Sequence, residues 1–328
     1  MLYFIAQNHP FFTQNIKDIC ICRKKVVILR GKSIYIIGSQ IKSMKLDIVL
    51  ITYNQARYIA QALDGLIMQR VNSDVEVRVI VADDASTDDT LAIIRSYEAQ
   101  SPFPFVYLPT EVNMGHIQNY KRAFAACTSD YVCVLEGDDW WCNPYHIQYH
   151  IDFLDQHKEC VVSVNRLVEY YPEISLYSIP ADKYGYLCFY NIKDQILKNH
   201  INNHSSACYR NSTLQLVPQI IFSEGFDDWI LGLSLAHYGL IAQLPEVTSV
   251  YRVHQQGVYS GSNMAKKQEY KRKSVDLAYQ LVNEEYFDLI KSLDRRDEFG
   301  TMRKKKILDY IPTFMVKLYR FLMPPVLH

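Results

Sequence analysis

The sequence lacks the features that mark several large classes of protein. No apolar run reaches the roughly 18 residues that a membrane-spanning helix needs. Lys plus Arg and Asp plus Glu each total 35, so no charge excess indicates a nucleic-acid-binding protein or an acidic, solvating one. The eight cysteines include no CxxC pair, which disfavours a zinc site and a disulfide framework. We therefore predict a cytoplasmic protein with reduced thiols, long enough at 328 residues for one large α/β domain and an appendage.

The first 43 residues do not share the pattern of the rest of the chain. Residues 26–29 and 33–37 have strand composition, and the basic residues at 23–25 interrupt any secretory signal. We predict that the domain begins at Met44 and that residues 1–43 are a leader outside the native domain. The alternative is an extra β-hairpin that packs on the core.

Strand and helix patterns begin to alternate at residue 46. The run 46–54 is apolar, rich in β-branched residues and ends at Thr-Tyr-Asn, as expected of a strand buried on both faces. In 55–69, apolar residues recur at helical spacing and form one apolar face. The alternation predicts an α/β fold, a Rossmann-like and mostly parallel sheet with helices on both faces. Residues 261–328 are predicted to be a helical C-terminal extension.

Two acidic clusters follow two of the predicted strands. Asp83 and Asp84 end the second strand, and Glu136, Asp138 and Asp139 follow the fourth. In such sheets, ligands bind beyond the carboxyl ends of the strands. Carboxylates that lie close together repel one another unless a cation or hydrogen-bond donors offset their charge. The Glu-x-Asp-Asp cluster suits Mg²⁺ or Mn²⁺ that is shared with the phosphates of a ligand.

Four segments in order resemble the inverting glycosyltransferases of family 2, which have the GT-A fold. They are residues 47–54, 79–88, 113–115 and 134–141. The resemblance is dense from 46 to 150 and weaker up to 260. It implies a GT-A domain over 44–260, with a nucleotide-binding half at 44–150 and an acceptor half at 151–260.

The resemblance implies a nucleotide pocket and a metal site. The implied nucleotide-binding residues are Thr52, Tyr53, Asn54, Asp83, Asp84, Asn113, Gly115 and Asp138. Of these, Asp84 is expected to contact the base, usually uracil. The implied metal ligands are Asp138 and Asp139 ahead of Glu136, together with His254. Glu136 departs from the aspartate that the family usually has at the first position of this motif, and Arg252 is implied to contact phosphate.

The resemblance also implies a catalytic base. Asp228, within 226–231, aligns with the acidic residue that accepts a proton from the acceptor hydroxyl. His204, Asp227 and Trp229 are implied to lie on the acceptor side. Without the other motifs, Asp227 and Asp228 would be explained simply as charges at a helix N-terminus.

The implied activity is transfer of a sugar from a nucleotide-diphosphate sugar, with UDP favoured, to a glycan or lipid-linked glycan acceptor in cell-surface polysaccharide biosynthesis. The implied cofactor is Mn²⁺ or Mg²⁺, and no nucleic-acid partner is expected. Basic residues among apolar ones at 303–322 predict contact with an anionic membrane surface, which would place the protein at the inner face of the plasma membrane. The alternative for this segment is a helix packed on its own domain.

Three other classes of protein are alternatives to a glycosyltransferase. A receiver domain needs a single phospho-acceptor aspartate where this chain has a cluster, and the chain is too long for one. A nucleotidyltransferase needs a glycine-rich phosphate loop after the first strand, but residues 52–57 contain no glycine. A non-catalytic GT-A-like protein that binds nucleotide stays open as an alternative.

Overall fold

The computed structural model describes residues 18–22, 25–30, 33–37, 43–179 and 185–293. The chain divides into two compact units. The smaller unit contains the described residues up to Met44 together with residues 73–76, and the larger unit contains 45–72 and the described residues from Val77 onwards.

The smaller unit contains a three-stranded antiparallel sheet in the order β1-β2-β3. Its strands are β1 (Asp18–Cys22), β2 (Lys25–Arg30) and β3 (Ser33–Ile37). The two strands predicted at 26–29 and 33–37 are therefore present. That residues 1–43 lie outside the native domain stays a prediction.

The larger unit is built on a ten-stranded sheet. Its strands are β4 (Met44–Thr52), β5 (Val75–Asp83), β6 (Phe105–Tyr107), β7 (Tyr131–Glu136), β8 (Trp140–Trp141), β9 (Cys160–Tyr171), β10 (Leu176–Ser178), β11 (Cys188–Tyr190), β12 (Ala207–Arg210) and β13 (Leu240–Arg252). The order is β11-β13-β9-β12-β7-β4-β5-β6, with β10 beside β9 and β8 beside β13. The helices are α1 (Ile59–Ile67), α2 (Thr90–Tyr97), α3 (His116–Ala125), α4 (His146–Gln156), α5 (Ile192–Leu197), α6 (Asn211–Leu214), α7 (Asp228–Leu235) and α8 (Met264–Leu281).

The first half of this sheet has the predicted parallel arrangement. Strand β4 pairs in parallel with β7, and β5 pairs in parallel with β6. The β4 side chains of Leu46, Ile48, Val49 and Leu50 are fully buried, because a central parallel strand is covered on both faces. Helix α1 starts later than the periodicity predicted, because residues 54–58 form a turn whose amide groups bond to the loop before α2.

The second half of the sheet is mixed, which the sequence did not reveal. Strand β12 runs antiparallel to both of its neighbours, β7 and β9, and β13 runs parallel to β9. The amino end of β12 therefore lies at the same sheet edge as the carboxyl ends of β7, β9 and β13. This topology brings residues from late in the chain to the acidic clusters of the first half.

One buried carboxylate lies at the opposite end of β4 and is structural. Asp47 is fully buried and forms an ion pair with Arg78. It also accepts hydrogen bonds from the backbone N–H groups of Thr128 and Ser129, at 2.8 and 3.0 Å. Burial alone would raise the pKa of Asp47, but the bonds from Arg78 and Ser129 hold it below its usual value. Both carboxylate oxygens of Asp47 are thus hydrogen-bonded within the protein.

The predicted helical C-terminal region is described only in part. Helix α8 lies within it, whereas residues from 294 onwards, including the basic segment 303–322, lie outside the described residues. No described helix combines the length and the apolar composition needed to cross a membrane.

Candidate active site

The turn after β4 is fixed by the loop that follows β5. Asn54 has a positive φ of 50°, and its backbone N–H donates to Ser86 Oγ at 2.9 Å. In return, the N–H of Thr87 donates to Asn54 Oδ1 at 2.7 Å. Thr52 is buried, and its Oγ1 has no hydrogen-bond partner within the described residues, whereas Tyr53 is 44% exposed. The turn therefore presents an exposed aromatic ring and, beside it, a buried hydroxyl with no hydrogen-bond partner within the described residues.

Asp83 and Asp84 end β5 and bond to different loops. Asp83 Oδ2 accepts from the N–H of Ser86 at 2.9 Å. The two oxygens of Asp84 accept from the N–H groups of Met114 and Gly115, at 2.9 and 2.8 Å. Gly115 has a φ of 84°, which favours glycine at this position. The structure thus brings Asp84 together with the predicted turn at 113–115, and the contact between Asp84 and a base stays a prediction.

Gly137, the second residue of the acidic cluster, packs closely against residues of the turn after β4. A Cβ atom on Gly137 would lie within 3.0 Å of Thr52 Oγ1 and closer still to Gln55 Oε1. The backbone N–H of Gly137 also donates to the carbonyl of Ile51 at 2.9 Å. The acidic cluster is therefore held directly against the turn after β4.

Asp139 is a saturated, buried carboxylate. It is only 1% exposed and accepts three hydrogen bonds, from Asn203 Nδ2 at 3.0 Å, Ser205 Oγ at 2.8 Å and the N–H of Arg252 at 2.9 Å. Burial and the negative charges of Asp138 and Glu136 raise the pKa of Asp139 well above its usual value. These bonds anchor the loop, and the metal-ligand role predicted for Asp139 stays a prediction.

Glu136 is also held by protein groups. Tyr120 donates its hydroxyl to Oε1 at 2.7 Å, and Asn203 Nδ2 donates to Oε2 at 3.3 Å. Burial and the charge of Asp138 raise the pKa of Glu136 to about 7. Glu136 therefore gains and loses a proton near neutral pH.

Asp138 is the open carboxylate of the cluster. Its side chain is 20% exposed, and its Oδ2 lies 3.0 Å from His254 Nε2. The other nitrogen of His254, Nδ1, is buried without a partner within the described residues, and the ring packs against Tyr58 with centroids 4.7 Å apart. Asp138 is thus more exposed than Asp139, and it lies beside a largely buried imidazole.

This pair suits a divalent cation that is shared with a ligand. Asp138 Oδ2 and His254 Nε2 lie 3.0 Å apart, at hydrogen-bond distance, and a carboxylate oxygen and an imidazole nitrogen are both common metal ligands. Within residues 43–179 and 185–293, no three His, Cys, Asp or Glu side chains are grouped to hold an ion by themselves. The residues therefore fit a cation whose other ligands come from phosphate oxygens and water.

Asp227 and Asp228 begin α7 and have different roles. Asp227 is the N-cap: its Oδ1 accepts from the N–H of Ile230 at 2.8 Å, and its Oδ2 accepts from Ser274 Oγ at 2.8 Å. Asp228 accepts from the N–H of Trp229 at 3.0 Å. Burial and the negative charges of Asp227 and Glu136 raise the pKa of Asp228 to about 8. Asp227 is explained by helix capping, and the role of Asp228 as a catalytic base stays a prediction.

The other residues predicted on the acceptor side make structural contacts. His204 is 6% exposed, its Nδ1 lies 2.8 Å from the hydroxyl of Tyr209, and its ring stacks on Phe226. Burial lowers the pKa of His204 to about 3, so the ring is neutral. Trp229 donates its indole N–H to the carbonyl of Gln195 at 2.7 Å. Neither residue has a geometry that indicates chemistry.

Sequence reasoning missed the residues that hold the cluster in place. Asn203 and Ser205 reach Glu136 and Asp139 because β12 runs antiparallel beside β7, and Tyr120 donates to Glu136 from α3. The polar run 203–206 before β12 was the available signal, but it drew attention only to His204.

Replacing Asn203 with Ala is expected to lower the free energy of unfolding by about 1–3 kcal/mol, because two buried carboxylates lose a donor. Denaturant unfolding measures this loss. Asn72→Ala is the control, because Asn72 is exposed and its bond to Gln148 comes from the backbone. Equal stability of the two variants would show that Asn203 does not support the cluster.

Comparisons with known proteins agree with the fold and the motifs. The family model described as Glycosyl transferase family 2 matches residues 47–214, just over half of the chain. An uncharacterized protein of Mycobacterium tuberculosis is 33% identical over 214 residues, which make up 65% of this chain and 60% of that protein. The chain thus spans about 60% of the length of this relative.

Two solved structures share the fold. S. aureus TarS in complex with UDP-GlcNAc aligns with a TM-score of 0.55 and 20% identity, over 71% of this chain and 66% of that one. The mannosyltransferase PcManGT of Pyrobaculum calidifontis, in complex with GDP-Man and Mn²⁺, aligns with a TM-score of 0.55 and 16% identity, over 75% and 68% of the two chains. The fold is therefore GT-A, and the family match shows that the chain belongs to glycosyl transferase family 2.

Proposed function

We propose that this chain is a metal-dependent, inverting glycosyltransferase that transfers a sugar from a nucleotide-diphosphate sugar, with UDP favoured, to a glycan or lipid-linked glycan acceptor. One observation carries the proposal. A single sheet edge holds an open carboxylate beside an imidazole, Asp138 with His254, and a separate carboxylate with a raised pKa, Asp228. The first arrangement suits a cation and a diphosphate, and the second suits proton removal from an acceptor.

The donor site is proposed at the turns after β4 and β5. Tyr53, Asn54 and Thr52 would line the nucleotide, with Asp84 and the turn at 113–115 on the base side. The TarS structure holds UDP-GlcNAc and the PcManGT structure holds GDP-Man with Mn²⁺, which supports a nucleotide sugar as the donor class and a divalent cation as cofactor.

A divalent cation held by Asp138 and His254 would offset the negative charge that builds up on the leaving diphosphate. The protein groups have a different task at this site. Glu136 and Asp139 accept hydrogen bonds from Tyr120 and Asn203, and these bonds fix the loop from which Asp138 projects. Asp138 is therefore held in one orientation before a donor arrives.

Asp228 is proposed as the general base. As the acceptor oxygen bonds to the anomeric carbon, the bond from that carbon to the diphosphate oxygen breaks, and the hydroxyl proton moves to the Asp228 carboxylate. A pKa of about 8 makes Asp228 a stronger base than an ordinary carboxylate. Because the enzyme supplies no nucleophile, attack comes from the face opposite the diphosphate and the configuration inverts.

The setting of the reaction follows from the same proposal. We place the transferase domain at 44–260 and the acceptor in the half that begins at 151. A role in cell-surface polysaccharide biosynthesis at the inner face of the plasma membrane fits such an acceptor. The segment 303–322, which we propose contacts anionic lipid, lies outside the described residues.

Titration of the full chain with UDP, GDP and TDP, each with and without Mn²⁺, tests the proposal. We expect UDP to bind most tightly and Mn²⁺ to strengthen its binding at least tenfold, because the cation links Asp138 to the diphosphate. Asp84→Ala should weaken UDP binding. Once a UDP-sugar that is turned over is found, NMR of the released sugar should show the inverted anomer. A folded protein that binds no nucleotide would overturn the proposal, and binding without turnover would indicate a non-catalytic GT-A-like protein.

A further inference from the structure

Arg252, the last residue of β13, is enclosed by aromatic rings. It is only 6% exposed. Its guanidinium carbon lies 4.6 Å from the ring centre of Trp140, 4.7 Å from that of Tyr58 and 5.6 Å from that of Tyr170. These rings come from β8, from the turn before α1 and from β9, so three separate parts of the larger unit hold one planar group. Cations over aromatic faces are attracted by the ring quadrupole, and the attraction is greater when water is excluded.

The hydrogen bonds of Arg252 converge on the acidic cluster. Its Nε–H donates to the backbone carbonyl of Asp138 at 2.8 Å, and its own backbone N–H donates to the carboxylate of Asp139 at 2.9 Å. Its Nη2 donates to Gln61 Oε1 on α1 at 2.7 Å. Arg252 therefore bonds to the carbonyl of Asp138 and to the carboxylate of Asp139, and it links this part of the chain to α1.

This geometry disagrees with the role that the family resemblance implied. A phosphate contact needs guanidinium donors that face the ligand. In Arg252, Nε and Nη2 are already directed to protein oxygens and the plane of the group is covered by aromatic rings, which leaves Nη1 as the guanidinium nitrogen without a hydrogen bond to the described residues. Its positive charge instead lies beside Asp138 and Asp139.

We propose that Arg252 is a positioning residue for Asp138: it sets the direction of that carboxylate towards the cation site and does not contact the diphosphate. The inference rests on the proposed function. Outer groups that orient a metal ligand typically affect metal affinity 10–100-fold. Because Arg252 acts through Asp138, its loss should reduce only the part of nucleotide binding that depends on the cation.

The test compares Arg252→Met with wild type in UDP titrations with and without Mn²⁺. Methionine keeps an unbranched apolar stem among the rings and removes the donors and the charge. We expect UDP affinity without metal to stay within about twofold of wild type, and the strengthening by Mn²⁺ to fall about 10–100-fold. Mn²⁺ electron paramagnetic resonance with UDP present should show a matching loss of bound ion.

Arg210→Met is the matched control. Arg210 is half-buried, with its Nη2 donating to the carbonyl of Leu154 at 2.8 Å and its guanidinium over the ring of Tyr131, but it has no hydrogen bond to a residue of the cluster. Arg210→Met should keep the wild-type affinity for UDP both with and without Mn²⁺. Arg252→Lys serves as a second variant if the methionine variant does not fold, because it keeps the charge among the rings but cannot bridge Asp138 and Gln61 in the same way.

The outcomes separate the inference from the proposed function. Equal weakening of UDP with and without Mn²⁺ in the Arg252 variants would assign the residue to the phosphates and overturn the inference. Full strengthening by Mn²⁺ in a folded Arg252 variant would also overturn it, while leaving the proposed function intact. If wild type itself shows no strengthening by Mn²⁺, the proposed function fails, and the inference fails with it.

Discussion

Asp228→Asn is expected to lower kcat about a thousandfold, because a positioned general base typically contributes 10²–10⁴-fold. Binding of UDP with Mn²⁺ should stay close to wild type, since Asp228 begins α7 and has no contact with Asp138 or His254 among the described hydrogen bonds. Release of UDP from a donor that is turned over, with water as acceptor if no glycan is known, provides the assay. Asp276→Asn, a change at an exposed aspartate on α8, is the control and should keep full activity.

Asp228→Asn is also expected to be more stable than wild type at pH 7. The pKa of Asp228 is raised to about 8 in the folded chain, so ionisation opposes folding. Wild type therefore loses stability as the pH rises from about 4, the pKa of an unfolded aspartate, towards 8. Asparagine cannot ionise, so the difference between the two proteins should shrink as the pH falls to 4. A variant that is less stable at every pH would show that the Asp228 carboxylate supports the fold.

The pH dependence of activity follows from the same group. The base must be unprotonated, so the rate should fall about tenfold per pH unit below a pKa of about 8. Glu136→Gln removes one of the negative charges that raise this pKa, and should move the acid limb of the profile to lower pH. An acid limb that stays in place in Glu136→Gln would mean that a different group limits the rate.

Asp138→Asn is expected to abolish most of the strengthening of UDP binding by Mn²⁺, a loss of about 100-fold, because the open carboxylate becomes a neutral amide. Stability should change little, since the Asp138 side chain is partly exposed and, within the described residues, its side chain bonds to His254 alone. Titration calorimetry with and without Mn²⁺ measures the first effect, and denaturant unfolding measures the second.

Asp139→Asn is the informative comparison for Asp138→Asn. Both oxygens of Asp139 accept hydrogen bonds, so an amide nitrogen would face the donors of Asn203 and Ser205. This variant should lose about 1–3 kcal/mol of unfolding free energy. If Asp139→Asn instead folds normally and loses Mn²⁺, the assignment of the two carboxylates must be exchanged.

The sequence allowed the first half of the larger unit to be predicted because its signals are local. Strand β4 is an unbroken apolar run, and α1 follows with apolar residues at helical spacing, so each element is specified by its own residues. The polar residues at 52–54, 83–84 and 136–139 follow from the same pattern, since they occupy the ends of parallel strands. The four motifs, in the order expected, then indicated the glycosyltransferase family.

The second half depends on long-range pairing that no local pattern reveals. Strand β12 has only four residues, and its antiparallel insertion between β7 and β9 is what brings Asn203 and Ser205 to the acidic cluster. For the same reason, the spacing of Glu136, Asp138 and Asp139 does not indicate which of them is open to a ligand and which is held by the protein. Their difference comes from partners about 65 to 115 residues later in the chain, such as Asn203 and Arg252.

The central claim is that two carboxylates at one sheet edge have separate duties, and one set of titrations tests it most directly. UDP is titrated into wild type, Asp138→Asn and Asp228→Asn, each with and without Mn²⁺, and turnover of the donor is measured on the same samples. We predict that Asp138→Asn loses the strengthening by Mn²⁺, whereas Asp228→Asn keeps it and loses only turnover. Equal loss of nucleotide binding in both variants, or full turnover in Asp228→Asn, would contradict the division of duties between the two sites.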